Sequence, residues 1–170
     1  MNIYINLMDN YNLNTKWYLW FHSLTNTSWN KQSYKKLFEL SNLYDLKILN
    51  DILLKNHLQN GIFFIMRENI FPTWEDPENR NGSCISYKIP GDELYENWSL
   101  IINRVLTEDI LINKDKFNEI NGLSISPKKE FNILKIWLRD NYQNKTVEHL
   151  IQSYQPHFIE NKAKIRKHDI

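Results

Sequence analysis

Two tryptophans stand in polar stretches of the sequence, where a large aromatic side chain has no obvious core to enter. Trp74 is followed by Glu75 in the Pro- and Gly-punctuated segment 72–82, and Trp29 follows a run of Thr, Asn and Ser. Taken alone, each is explained most simply as a loop side chain folded back onto the protein. Together with the adjacent acid, the pair favours a site that sandwiches a planar base between two indoles.

A further tryptophan shares a strand face with positive charge. In the segment 131–139, alternate residues point to opposite faces of a strand. One face is largely apolar and carries Asn132, Leu134, Ile136 and Leu138. The other face is cationic and aromatic and carries Ile133, Lys135, Trp137 and Arg139. In the preceding strand, one face carries Ser124, Ser126 and Lys128, so we expect tryptophan and positive charge on the open side of a sheet.

The remaining reactive side chains form no catalytic pattern. The five histidines lack metal-ligand spacing, and four glycines leave no phosphate-binding loop. Cys84 has no evident partner and is predicted to be a buried structural thiol. The neighbouring pairs Glu75-Asp76 and Asp92-Glu93 are weak candidates for an acid–base dyad, because adjacent side chains of an extended chain point apart. The sequence therefore predicts a protein that is not an enzyme and that needs no metal or cofactor.

Composition narrows the class of protein further. The chain has 170 residues and 42% hydrophobic residues, enough for one domain with a real core. A formal charge of +1 means that any nucleic-acid site must be a local patch. One cysteine excludes a disulfide framework, and neither a membrane span nor a signal pattern is evident, so the cytosol is the expected compartment. An excess of Asn and Ile over a single Ala suggests an AT-rich genome, of a parasite or a large virus.

The elements that must position these residues follow from hydrophobic spacing. Strands are predicted at 16–21, 61–66, 83–89, 123–128 and 131–139, and helices at 45–54, 92–106 and 145–154. The first helix is predicted to start at Asp45 as its N-cap, and its inward residues are predicted to be Leu46, Leu49, Ile52 and Leu53. Residues 1–14 are predicted to form a flexible arm and residues 15–170 one domain. Because the strands come in pairs without βαβ alternation, the predicted class is α+β, with an antiparallel sheet backed on one face by three helices.

With these pieces in place, the chain resembles the eukaryotic translation initiation factor 4E family, the proteins that bind the 5′ cap of mRNA. The resemblance runs from about residue 17 to residue 158. The matching pieces, in family order and at nearly family spacing, are the segment 17–21, Trp29, the segment 72–76 with Asn79 and Gly82, Trp98, and the segment 133–137. The ordered tryptophans around a Trp-Glu-Asp loop are the most specific part. The resemblance implies a sheet that is curved, with helices on its convex face and the cap on its concave side.

The resemblance also implies a role for each site residue. Trp29 and Trp74 would stack on the two faces of 7-methylguanine, whose positive charge adds a cation–π contribution. Glu75 would accept hydrogen bonds from the guanine N–H groups, and Trp137 would touch the N7-methyl group. Lys128 falls where the family has an arginine that holds the cap phosphates.

The phosphate site departs from the family pattern. A second phosphate-binding lysine of the family falls at Ile133, and Lys135, two residues further on the same strand face, is predicted to replace it. A family arginine falls at Cys84, which weakens the basic wall. The candidate helpers from the C-terminal segment are Lys162, Lys164, Arg166 and Lys167.

The partner surface departs as well. In the family, a helix tryptophan binds the scaffold partner. That position is Lys47 here, which we expect to point outward on the helix at 45–54.

The resemblance implies that the protein binds capped mRNA and promotes translation initiation. It would present the mRNA to a scaffold factor or to a dedicated partner on this dorsal surface, and it would be a monomer outside its complexes. One alternative is a cap-binding translational repressor that does not engage the usual scaffold, which Lys47 favours. The other is a cap pyrophosphatase, which would need metal-binding carboxylates where the sequence offers lysines.

Overall fold

A computed structural model describes residues 11–168, and its central feature is one curved sheet of seven strands. The strands are β1 (Asn12–Ser23), β2 (Tyr34–Asn42), β3 (Gly61–Arg67), β4 (Ser83–Pro90), β5 (Ile120–Pro127), β6 (Phe131–Leu138) and β7 (Lys164–Lys167). Their order across the sheet is β2-β1-β3-β5-β6-β4-β7, and every neighbouring pair is antiparallel. The helices are α1 (Leu43–Ile52), α2 (Lys55–Gln59) and α3 (Leu94–Leu106). The predicted fold class is confirmed.

Side chains alternate between the two faces of the sheet along each strand, and the two faces have different surroundings. One face packs against the helices and forms the main core, which includes Trp17, Ile65, Ile85, Leu134 and Trp98 of α3. The opposite, open face carries a smaller cluster made of Tyr34, Phe64, Met66, Ile70 and Trp137. This open face is the one for which the sequence predicts tryptophan and positive charge.

Helix α3 begins at Leu94, two residues later than predicted, and buries one apolar stripe. Its buried residues include Leu94, Trp98, Ile101, Ile102 and Val105. This spacing of three and four residues keeps the stripe on one side of the helix. Trp98 is a core residue.

Helix α1 corrects two predictions. Its N-cap is Asn42, whose side chain accepts hydrogen bonds from the N–H groups of Tyr44 and Asp45. The Asp45 carboxylate in turn accepts from the Asn42 N–H, which completes a capping box. Asp45 is therefore the third helical residue and not the cap. Leu46, Leu49 and Leu53 are buried as predicted.

Ile52 was predicted to point inward and instead is 53% exposed. At 3.6 residues per turn, Ile52 lies about a quarter-turn from the centre of the buried stripe of α1, so it faces away from the core.

The predicted helix at 145–154 is wrong. Only a 3₁₀ turn, Val147–His149, forms in that part of the chain. Val147, Leu150 and Ile151 are buried, but the backbone of this segment pairs with a distant segment. The Ile112 N–H donates to the Leu150 carbonyl and the Gln152 N–H to the Ile110 carbonyl. A tertiary pairing therefore replaces the local helix.

Three elements and one boundary were not predicted. Strands β2 and β7 lie at the two edges of the sheet and are rich in lysine, which obscures their alternation. Helix α2 has five residues, too short for a periodic signal. Strand β1 already begins at Asn12, so residues 12–14 belong to the sheet and not to the predicted arm, whose residues 1–10 lie outside the described part of the chain. Within residues 11–168, no helix is long and apolar enough to cross a membrane.

Candidate nucleotide-binding site

A cavity of about 410 Å³ lies on the open face of the sheet and gathers the residues predicted from the sequence. Its lining includes all six side chains predicted to contact a cap: Trp29, Trp74, Glu75, Lys128, Lys135 and Trp137. They come from the loop after β1, the loop after β3, the turn between β5 and β6, and strand β6. Residues from four separate stretches of chain thus meet in one place.

Trp29 is held against a histidine that the sequence analysis missed. The imidazole of His22 stacks on the Trp29 indole with ring centroids 4.0 Å apart and planes 3° from parallel. His22 is fully buried, and its Nε2 lies 2.9 Å from the Ser28 carbonyl oxygen, which fixes the ring to the loop. Trp29 itself is 55% exposed, so it stays available to a ligand while His22 supports it.

Trp74 and Glu75 lie in a loop whose backbone is tied down. The buried Asn79 side chain donates to the carbonyls of Phe71 and Thr73, at 3.0 and 2.9 Å. The Phe71 N–H donates to the Asp76 carboxylate at 3.0 Å. These bonds hold Trp74 and Glu75 between two fixed ends, which reduces the entropy lost on ligand binding.

Gly82 lies where the end of this loop packs closely against β6. A Cβ atom at Gly82 would lie 2.1 Å from the Leu138 carbonyl oxygen, so any other residue would push the loop away from β6. The glycine therefore sets the approach of the loop to the strand that carries Trp137.

The C-terminal end of the described chain supports Trp74 from behind. The His168 ring lies nearly parallel to the Trp74 indole, with centroids 5.7 Å apart, and 5.2 Å from the Trp137 ring. The ring nitrogen Nδ1 of His168 lies 2.6 Å from the Asn79 carbonyl oxygen, and the backbone N–H of His168 donates to the Gly82 carbonyl. Each of the two loop tryptophans thus lies against an imidazole.

The floor of the cavity is apolar and aromatic. Trp137 is 3% exposed, donates from Nε1 to the Ser124 hydroxyl at 3.0 Å, and contacts Phe64 edge to face. Burial and, secondarily, the nearby Glu75 carboxylate raise the pKa of Tyr34 to about 12. The Tyr34 hydroxyl is therefore neutral at ordinary pH, and the charge of Glu75 acts on it.

Positive charge lines one side of the cavity. The Lys135 ammonium lies 5.4 Å from the centroid of the Trp74 ring, and Lys128 lines the cavity beside the end of β5. Cys84 is buried, as predicted, and supplies no charge. Arg139, predicted on the same open face, instead forms an ion pair with Glu78 at 2.9 Å and does not line the cavity. The four C-terminal helpers line a neighbouring trough instead.

Lys47 lies apart from this site, on α1 at the opposite face of the sheet. Its side chain is 72% exposed and forms an ion pair with Asp51, one turn further on. The expected outward orientation is confirmed. The described residues contain no cluster of three or more His, Cys, Asp or Glu side chains that could hold a metal ion.

Of the supporting residues of the cavity, His22 could have been found in the sequence. His22 lies two residues after Trp20, on the same face of β1, and this parity predicts a position on the open side. Tyr34 and His168 lie in or beside the lysine-rich edge strands, whose pairing the sequence does not reveal.

Comparisons with known proteins agree with one another. The model of the eukaryotic initiation factor 4E family matches residues 12–168. A eukaryotic translation initiation factor 4E homolog of Acanthamoeba polyphaga mimivirus is 30% identical over 107 residues, which cover 55% of this chain and 39% of that protein. The chain therefore matches less than half the length of this relative.

Solved structures share the fold. The complex of C. elegans eIF4E-3 with the 4E-binding protein Mextli and cap analog aligns with a TM-score of 0.70 at 18% identity, covering 79% of this chain and 77% of that one. Schistosome eIF4E complexed with m7GpppG and 4E-BP aligns with a TM-score of 0.71 at 17% identity, covering 82% and 78%.

Proposed function

The chain belongs to the eukaryotic initiation factor 4E family, and from this premise we propose that it binds the 7-methylguanosine 5′ cap of mRNA and acts in translation initiation in the cytoplasm. The observation that carries the proposal is the shared cavity: two loop indoles, a carboxylate, a floor indole and two lysines line the same 410 Å³. This combination offers stacking, acceptor and cationic groups to one ligand.

The base fits between the two loop tryptophans. Trp29 and Trp74 stack on its two faces, and N7-methylation makes the base cationic, so electron-rich indoles attract it more than they attract guanine. Glu75 accepts from the guanine N–H groups in charge-assisted hydrogen bonds, and Trp137 meets the N7-methyl group. Lys128 and Lys135 neutralise the phosphates.

The solved relatives support this assignment. The C. elegans eIF4E-3 complex contains a cap analog, an Ascaris suum eIF4E-3 structure contains the m7G cap, and the schistosome protein contains m7GpppG. Family membership also argues for a binding protein and not for an enzyme acting on the cap.

The convex side offers a surface for the partner that receives the capped mRNA. Tyr44, Ile48 and Ile52 are exposed on α1 at four-residue spacing and form an outward apolar stripe. Partner helices usually bury such a stripe in an apolar interface. The C. elegans and schistosome relatives are bound to Mextli and 4E-BP respectively. We infer that a scaffold or a dedicated partner docks on this dorsal stripe.

A second candidate function is translational repression through cap binding without the usual scaffold. Lys47 favours it, because an exposed ammonium flanking the stripe must be desolvated or moved aside when an apolar partner docks.

The cap proposal is tested by titrating the intrinsic tryptophan fluorescence with 7-methyl-GTP and with GTP. We expect quenching by both ligands and an affinity severalfold higher for the methylated one, because the cation–π contribution is about 0.5–2 kcal/mol. Equal affinities for the two nucleotides would contradict the proposed sandwich.

A further inference from the structure

A second depression adjoins the cap cavity and is larger than it. This trough has a volume of about 780 Å³ against 410 Å³ for the cavity, and the two share Trp74 and Lys135 in their linings. The two depressions are therefore adjacent, with Trp74 and Lys135 at their shared boundary.

The trough is strongly basic. Its cationic lining residues are Lys88, Lys135, Lys162, Lys164, Arg166 and Lys167. Glu130 is the single carboxylate that lines it in the described part of the chain. The lining also contains His157, which is already paired with Glu93 at 2.7 Å. In a protein with a net charge of +1, this concentration of cations marks a site for a polyanion.

Strand pairing explains why the charges converge. In the β4–β7 ladder, Lys164 lies opposite Ser86 and Arg166 opposite Cys84. Directly opposed residues of an antiparallel pair project to the same face. Ser86 and Cys84 belong to the open face, so Lys164 and Arg166 extend the basic wall of this face beyond β4.

An aromatic ring stands at the far end of the trough. Phe131, Ile133, Lys135 and Trp137 alternate along the open face of β6 and share its periodicity. Phe131 lies six positions before Trp137, which corresponds to about 20 Å along a strand. The Lys88 ammonium lies 4.5 Å from the centroid of the Phe131 ring, so a cation accompanies the ring.

We propose that this trough binds the first transcribed nucleotides of a capped RNA, with Phe131 as a stacking platform for a base and Lys88, Lys164 and Arg166 as phosphate contacts. An aromatic ring beside cations in an open groove is the arrangement that binds single-stranded nucleic acid. The inference rests on the proposed cap site for its direction, since the RNA enters the trough from the cavity. An acidic peptide would use the cations but has no need of the ring.

The test compares affinities for 7-methyl-GTP and for capped RNAs lengthened one nucleotide at a time. We expect the affinity to rise about tenfold once a base reaches Phe131, the equivalent of one base stack. Phe131→Leu keeps apolar volume but removes the ring, and it should abolish this rise, while Phe131→Trp should preserve it. Phe117→Leu is the matched control, because Phe117 is also half-buried but does not line the trough.

Salt dependence tests the phosphate contacts. Lys88→Ala and Arg166→Ala should each lower the slope of log affinity against log salt by about one for a capped RNA. Lys35→Ala, a change of the same charge on the edge strand β2 at the opposite end of the sheet, should leave the slope as it is.

The outcomes separate this inference from the cap proposal. Binding of 7-methyl-GTP without any rise for longer RNAs, or a rise that Phe131→Leu does not reduce, would overturn the trough site and leave the cap site standing. A loss of the rise in Phe117→Leu as well would also overturn it. Failure to bind 7-methyl-GTP, with Phe131-dependent binding of an uncapped 5′-triphosphate RNA, would support the trough and refute the cap site. Binding of polyglutamate as tight as that of RNA would overturn the nucleic-acid assignment.

Discussion

The six tryptophans have different surroundings, and these decide which property of the protein each one controls. Trp17 and Trp98 are fully buried in the main core, and Trp20 is half-buried against the small cluster on the open face. Trp29 and Trp74 lie on loops and keep part of their surface accessible. Stability and ligand binding should therefore be separable by mutation, although the residue type is the same.

Trp29→Ala and Trp74→Ala should each weaken binding of 7-methyl-GTP by roughly 1–3 kcal/mol, the value of one base stack. Both should keep a cooperative thermal transition, because neither side chain belongs to the main core. Fluorescence-independent calorimetry and thermal melts measure the two effects. Trp98→Ala is the opposite control and should lower the free energy of unfolding by about 3–5 kcal/mol. A variant of Trp29 that no longer melts cooperatively would show that this residue is structural.

Glu75→Gln should reduce discrimination between bases more than it reduces stacking. One carboxylate oxygen becomes an amide that donates toward the donors of guanine, so a hydrogen bond is lost and a clash of donors is gained. We expect a larger loss of affinity for 7-methyl-GTP than for 7-methylated adenine nucleotides, measured by competition. An equal loss for both would argue that Glu75 acts only through its charge.

At the scale of single elements, α1 has two apolar faces where one was predicted. Leu46, Leu49 and Leu53 pack against the sheet, and the outer stripe of Tyr44, Ile48 and Ile52 is exposed. A helix that is apolar on both sides is expected to bury the second side against a partner. Lys47 flanks this stripe, so the same helix carries both the attraction for a partner and the charge that opposes it.

Lys47→Trp should raise the affinity for a helical scaffold peptide, because an indole at this place adds apolar area and removes an ammonium that must be desolvated. The affinity for 7-methyl-GTP should not change, since α1 lies on the other face of the sheet. Peptide titration by fluorescence anisotropy measures the effect. Lys116→Trp, another exposed site away from α1, is the control. Tight binding of the scaffold peptide by the unmodified protein would show that the outer stripe suffices without an indole.

At the scale of the whole molecule, the buried guanidinium of Arg67 connects several elements by hydrogen bonds. Arg67 of β3 donates to the Glu108 carboxylate at 3.1 Å, to the Ile120 and Phe117 carbonyls, and to the Thr15 hydroxyl. Burial lowers the pKa of Arg67, while the hydrogen bond and charge of Glu108 act in the other direction. Four hydrogen bonds therefore compensate the Arg67 guanidinium for its loss of water.

Glu108→Gln should lower the free energy of unfolding by about 3–5 kcal/mol, because it leaves the Arg67 charge buried and uncompensated. Urea denaturation measures the loss, and binding of 7-methyl-GTP well below the melting temperature should be unchanged. The exposed pair Lys16–Glu39, with a similar distance of 2.8 Å, is the matched control, and Glu39→Gln should have little effect. Comparable losses in both variants would contradict the importance of burial.

The sequence by itself determined the fold class, five of the seven strands and helix α3, and its resemblance to the family pointed to six of the side chains that line the cavity. These inferences succeed because alternation and helical spacing are local, and because a tryptophan in a polar loop is conspicuous. The roles of those side chains stay predictions.

Tertiary structure alone decided the rest. The segment 145–154 has helical spacing, yet its backbone bonds to residues 110 and 112, which no local pattern reveals. His22 and His168 support the two loop indoles only because β1 and the C-terminal segment meet the same face of the sheet. The basic trough likewise exists because β7 pairs with β4, about 80 residues earlier in the chain. Contacts between distant segments depend on which strands pair, and pairing is set by the packing of the whole sheet.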